Sequence, residues 1–133
     1  MKFYMNEHGF QTNVGFGELK VSSQEEYGFR PYQLLVSSVA VCSGGWLRSI
    51  LKKMRIPFDD ITISTTVGRN PEIANRIESI DLLFTISGKD ISPKKVEKAL
   101  AITRKNCAMI QSVQDSIKIT ESFELNYPHL ANA

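Results

Sequence analysis

The stretch PYQLLVSSVAVCSGGWLRSILKKM, residues 31–54, decides the architecture. Pro31 suits the first position of a helix, where its missing N–H would have had no partner. Behind it, Leu35, Val39, Cys42, Trp46 and Ile50 recur at three- and four-residue spacing, as one face of a helix requires. A second apolar stripe, Val36, Ala40, Leu47, Leu51 and Met54, runs beside the first. The spacing predicts one long helix from Pro31 to about Met54, stopped by Pro57. Lys52, Lys53 and Arg55 cluster at its end, where positive charge complements the helix dipole. A helix apolar around so much of its circumference belongs in the middle of something. One small sheet cannot cover it, so an obligate homodimer is expected.

On the N-terminal side, Phe3 with Met5, Phe10 through Thr12, Val14 and Phe16, and Leu19 with Val21 alternate, punctuated by Gly9, Gly15 and Gly17. This pattern predicts short strands in a β-meander. On the C-terminal side, Ile61, Ile63, Thr65 and Val67 form one strand, and Ile80, Leu82, Phe84 and Ile86 a second. The turn chemistry of Gly68, Arg69, Asn70 and Pro71 separates them. Ser92 and Pro93 open a second helix with Val96, Leu100 and Thr103 or Ile102 turned inward. The chain is expected to break near Asn106 and Cys107, restart as a short helix to about Val113, and end in a strand using Ile117, Ile119, Phe123 and Leu125. The order βββ–α–ββ–α(α)–β is an α+β arrangement, read as a single domain over residues 1–133.

Composition narrows the partners. Sixteen basic against 14 acidic residues leave a net charge of +2, interleaved along the chain, which argues against nucleic acid. The longest greasy stretch, Leu34 to Cys42, is interrupted by Ser37 and Ser38, so no membrane-spanning segment is expected. Residues 1–7 lack the apolar core of a signal peptide, and a cytoplasmic location follows. In that reducing setting Cys42 and Cys107 are expected as thiols, not as a permanent bridge.

Those two cysteines are the residues to which chemistry can be assigned. Cys42 lies on an apolar stripe, where a cysteine is ordinarily a small core hydrophobe. Gly44 and Gly45 beside it, each costing a helix about 1 kcal/mol relative to alanine, point instead to a close approach of backbone, partner helix or substrate. Cys107, if it begins a helix after a break, meets unpaired N–H groups that lower a thiol's pKa, with Lys105 pushing the same way. The alternative for Cys107 is a buried structural cysteine. His8 and His129 stand near opposite ends of the sequence, which disfavours a Cys/His pair or a histidine zinc site, and two cysteines 65 positions apart do not make a metal site. No metal is expected.

Pro31-Tyr32-Gln33-Leu34-Leu35-Val36-Ser37-Ser38-Val39-Ala40-Val41-Cys42 resembles the P-x-x-L-L-x-x-S-x-A-x-C opening of the central helix in OsmC/Ohr proteins. Ala101 to Ile110, with Cys107 in it, resembles their second signature, A-x-x-x-x-x-C. The resemblance implies an OsmC-like fold in an intertwined homodimer and a thiol peroxidase of organic hydroperoxides. Cys42 would attack the peroxide, Cys107 would resolve the sulfenic acid as a disulfide, and a small or lipoyl-type external dithiol would reduce it with no resident cofactor. Members of the family also carry a glutamate ten residues before the first cysteine and an arginine from the N-terminal strands. Here Tyr32 occupies the first position and no arginine precedes Arg30, so Arg30 and Tyr32, with Lys20 as a further cation, are the supporting candidates.

Two other functions fit such a chain. One is a non-catalytic binding or redox-sensing module with an apolar pocket at the dimer interface. The other, an RNA-binding KH-type module, needs a GxxG loop between two helices, and the sequence has none.

Overall fold

The computed structural model describes residues 1–127, so His129 lies outside the described residues. The chain divides into two compact units, Met1–Ser37 and Ser38–Ala133.

The first unit is the expected meander. Strands β1 (Tyr4–Met5), β2 (Phe10–Asn13) and β3 (Glu18–Val21) pair antiparallel in that order. Alternation holds across β2, where Thr12 is buried and its hydroxyl donates to the Lys2 carbonyl at 2.6 Å. It does not carry on through Val14 and Phe16. These residues form the turn, closed by hydrogen bonds between Val14 and Gly17 in both directions. Helix α1 (Pro31–Lys53) begins in this unit with proline as its first residue.

In the second unit α1 ends one residue earlier than its apolar pattern. Arg55 adopts the left-handed conformation (φ 57°), the Ile56 N–H donates to Leu51 O at 3.0 Å, and the Arg55 N–H donates to Lys52 O. This pair of bonds closes the helix before Pro57 is reached. Strands β4 (Phe58–Asn70) and β5 (Arg76–Gly88) then form a long antiparallel hairpin. Gly68, Arg69 and Asn70 belong to the β4 arm, not to the turn. An irregularity in register between Gly68 and Arg69 accommodates them, and the reversal occurs at residues 71–75, where Ala74 and Asn75 take positive φ.

Helix α2 (Pro93–Asn106) starts as read, with the Ser92 hydroxyl accepting from the Lys95 N–H. Its inward residues are Val96, Ala99, Leu100 and Thr103, while Ile102 is exposed. After the break at Cys107 come α3 (Ala108–Val113) and β6 (Lys118–Asn126). β6 pairs parallel with β5, so the sheet order is β4-β5-β6. A parallel return needs a crossover connection, and α2 with α3 supplies it.

The core lies between this sheet and the helices. Ile80, Leu82, Phe84 and Ile86 of β5 are almost wholly buried, as are Leu47 and Leu51 of α1. By length and hydropathy α1 would suffice to cross a bilayer, contrary to the expectation that no segment is apolar enough. In the fold its inward side (Val39, Ser43, Leu47, Leu51) is at most 1% exposed, and it acts as a core helix. Gly44 allows the packing: a Cβ there would stand 2.4 Å from Cδ1 of Ile63 and 4.0 Å from the Phe84 ring.

Candidate thiol site

Cys42 is carried by the middle of α1, on the turn that Gly44 sets against β4 and β5. Cys107 is carried by the break between α2 and α3, as C-cap of the first helix and N-cap of the second. Although 65 positions separate them, the fold makes the two thiols neighbours, close enough for Cys42 to raise the Cys107 pKa. Both are free cysteines.

Their surroundings differ. Cys42 is half-buried and lines an open cleft of about 340 Å³ with Val41, Gly45, Trp46 and Ser49. Gly45 has nothing within 4 Å of where its Cβ would be, so this glycine keeps the approach to Cys42 clear. Trp46 lines the cleft as its stripe position suggests. Val39 turns into the core instead, and Val41 stands beside the thiol.

Cys107 is fully buried. Its helix N-terminus is real: the backbone N–H groups of Ile110 and Met109 face the sulfur and favour the thiolate. Burial outweighs them, and the adjacent Cys42 acts in the same direction as burial. The Cys107 pKa is therefore pushed up to about 11 from an ordinary 9.0. Of the two readings open in the sequence this favours the buried cysteine over the lowered value at a helix start, because a tertiary effect, desolvation, exceeds a local one. Lys105 is exposed and takes no part.

The structure pairs the two supporting candidates with each other. The Arg30 guanidinium carbon lies 5.0 Å from the centroid of the Tyr32 ring, within the first unit, a cation–π contact. Lys20 pairs with Glu18 at 3.6 Å, and His8 stacks on Tyr27.

One buried charged group was not expected from the sequence. Glu121 of β6 has a side chain only 5% exposed. It accepts a hydrogen bond from the Ser43 hydroxyl at 2.6 Å and lies 3.7 Å from the Arg104 guanidinium. Arg104 also donates to the Ile119 carbonyl at 2.9 Å. Burial raises the Glu121 pKa above the usual carboxylate range, and Ser43 and then Arg104 oppose this without cancelling it. The signal is present in the last strand. Ile117, Ile119, Phe123 and Leu125 alternate, and Glu121 falls on the inward position between them. A charge at an inward position requires a partner. Among the described residues no cluster of three or more His, Cys, Asp or Glu side chains could hold a metal.

The OsmC-like protein family matches residues 23–122 of the chain. Protein YhfA of Escherichia coli K12 is 26% identical over 96 residues, 71% of this chain and 72% of YhfA. A hypothetical protein of Aquifex aeolicus VF5 superposes with a TM-score of 0.84 at 26% identity, covering 95% of this chain and 94% of that one. An organic hydroperoxide resistance protein of Elizabethkingia anophelis has the same fold, with a TM-score of 0.73 at 14% identity over 95% of this chain and 97% of its own. A match over three-quarters of the sequence, the expected α+β order and this fold lead to one conclusion: the chain belongs to the OsmC/Ohr family of OsmC-like proteins.

Proposed function

We propose that the protein is a thiol-dependent peroxidase that reduces organic hydroperoxides, with Cys42 as the attacking thiol and Cys107 as the resolving one. One observation carries the reading: a cleft-lining thiol and a buried thiol are neighbours that interact in a relative of hydroperoxide resistance proteins.

The roles follow from the two environments. With the Cys107 pKa pushed up to about 11, its S–H stays protonated at neutral pH, which leaves Cys42, the thiol open to the cleft, as the attacking group. The Cys42 sulfur attacks the terminal peroxide oxygen. The O–O bond breaks, the organic part leaves as an alcohol after gaining a proton, and Cys42 becomes a sulfenic acid. The Cys107 sulfur then displaces the hydroxyl, water leaves, and a Cys42–Cys107 disulfide forms. An external dithiol, of lipoyl type or another small one, returns both thiols by exchange and is itself oxidised to a disulfide. No resident cofactor enters this cycle. Val41 and Trp46 beside Cys42 favour an organic substituent over hydrogen peroxide.

Dimedone labelling with mass spectrometry, after one equivalent of cumene hydroperoxide, tests the assignment. Cys42→Ser is expected to abolish peroxide consumption, since Cys107 is buried and protonated. Cys107→Ser is expected to react once and hold a dimedone-reactive sulfenic acid at Cys42. Label on Cys107 in the Cys42→Ser protein would reverse the roles. If no variant takes label and the wild type forms no disulfide, the binding or redox-sensing alternative replaces the enzyme.

A further inference from the structure

We infer that Glu121 is a positioning residue, a carboxylate bracket that joins the two elements carrying the thiols and thereby sets how readily Cys42 and Cys107 combine. The inference rests on the thiol roles proposed above, but its geometry is independent of any substrate. Ser43, which Glu121 holds at 2.6 Å, is the residue immediately after Cys42 on α1. Arg104, on the other side of the carboxylate at 3.7 Å, lies three residues before Cys107 in the last turn of α2. One buried side chain on β6 thus fixes the turn of α1 beside the first thiol and the turn of α2 beside the second.

Further contacts restrict what else could adjust. Arg104 is tied to β6 through the Ile119 carbonyl. The helix break at Cys107 is spanned by Gln111, whose side-chain amide donates to the Arg104 carbonyl at 3.0 Å. Ser43 is fully buried, so water is not available to replace the carboxylate as its partner. A buried carboxylate with these contacts is more than a stability device, because well-packed apolar residues commonly serve stability as well as a buried ion pair does. What an apolar residue could not do is hold two polar partners at fixed distances. Glu121 is not among the groups that shift the Cys107 thiol, so at that thiol it works through geometry.

The test is a thiol–disulfide equilibrium of the full-length chain in glutathione buffers. Oxidised glutathione takes up two electrons and two protons from Cys42 and Cys107, leaving the protein disulfide and two reduced glutathiones. The ratio at half-oxidation gives the effective concentration of one thiol at the other. A charge-assisted hydrogen bond is worth at least about tenfold in an equilibrium constant. Glu121→Gln and Ser43→Ala are therefore each expected to lower the effective concentration by about tenfold, roughly 30 mV. The double variant is expected to add little to either single one, because both remove the same link. Thermal melts run in parallel separate this from a purely structural role, which would lower Tm and leave the native-state equilibrium unmoved. That result, or an additive double variant, overturns the inference, as does a wild type that forms no internal disulfide. If Glu121→Gln does not fold, Ser43→Ala alone decides the question by the same criterion. A wild type that forms the disulfide readily with glutathione but consumes no hydroperoxide leaves the bracket standing and removes the peroxidase.

Discussion

The two units treat similar sequence patterns in opposite ways. Along β5 every second residue is apolar, and Ile80, Leu82, Phe84 and Ile86 are at most 1% exposed. The meander also carries aromatic and apolar residues at alternate positions, yet Phe10 remains 50% exposed, Met5 81% and Phe16 wholly so. Alternation states which side chains share a face, and it says nothing about what covers that face. β5 is 13 residues long and paired on both sides, whereas the meander strands have two to four residues. Such short strands bury little on their own.

The largest effect that would break this comparison is expected at Phe84. Phe84→Ala opens a cavity in a fully buried site and should cost about 3–5 kcal/mol, read as a lower denaturant midpoint at unchanged slope. A loss below about 1 kcal/mol would mean that the β5 face is not the core of its unit.

The sequence disclosed most where one local rule acts alone. The Ser92 cap, the proline start of α1, the inward face of β5 and the helix break at Cys107 each depend on neighbours within a few residues. What stayed hidden depends on distant ones. Glu121 finds Ser43 across 78 positions, a pairing that no local pattern encodes, although its inward place on β6 could have marked it. The direction of the Cys107 shift stayed open between a helix start and a buried cysteine because helix N–H groups are local and burial is not. The β4–β5 arms extend beyond their expected ends because Gly68, Arg69 and Asn70 carry turn chemistry that the long hairpin overrides. Of the candidate site, the two thiols were legible and their separation in space was not.

A smaller effect should appear at high pH. Cys107 is held as a neutral thiol, with its folded pKa at about 11 against an ordinary 9.0. Its contribution to stability is therefore complete below pH 9 and is lost as pH rises toward 11. Comparing chemical unfolding of wild type and Cys107→Ala across this window isolates the loss from tyrosine and lysine titration. A constant difference between the two would mean that burial does not hold this thiol neutral. The same rise predicts that disulfide formation from a Cys42 sulfenic acid accelerates with pH throughout this range.

Smaller again is the contrast between adjacent glycines. Gly45→Ala gains helix propensity of about 1 kcal/mol with nothing to displace. Gly44→Ala gains the same propensity but must turn Cδ1 of Ile63 away, so its net change should be less favourable. Paired denaturation curves check the order. The two variants also separate packing from approach, since Gly45→Ala should slow reaction at Cys42 by narrowing the cleft.

The smallest change in folding stability is expected at Phe16, and it bears most directly on the uncovered meander. Its side chain makes no buried contact to lose, so Phe16→Ser should alter the stability of an isolated chain by less than about 0.5 kcal/mol. Soluble proteins rarely leave several large apolar groups together in water without use, and Phe3, Tyr4, Met5 and Phe10 share the unit with Phe16. The homodimer expected from the sequence would give them a cover. In that case the melting temperature of the wild type rises with protein concentration, sedimentation gives twice the 15.0 kDa chain mass, and Phe16→Ser weakens both effects while leaving the dilute-limit stability alone. A wild type that sediments as a stable monomer at micromolar concentration would instead make the exposed meander a property of the isolated chain, and the difference between the two units would then be one of strand length alone.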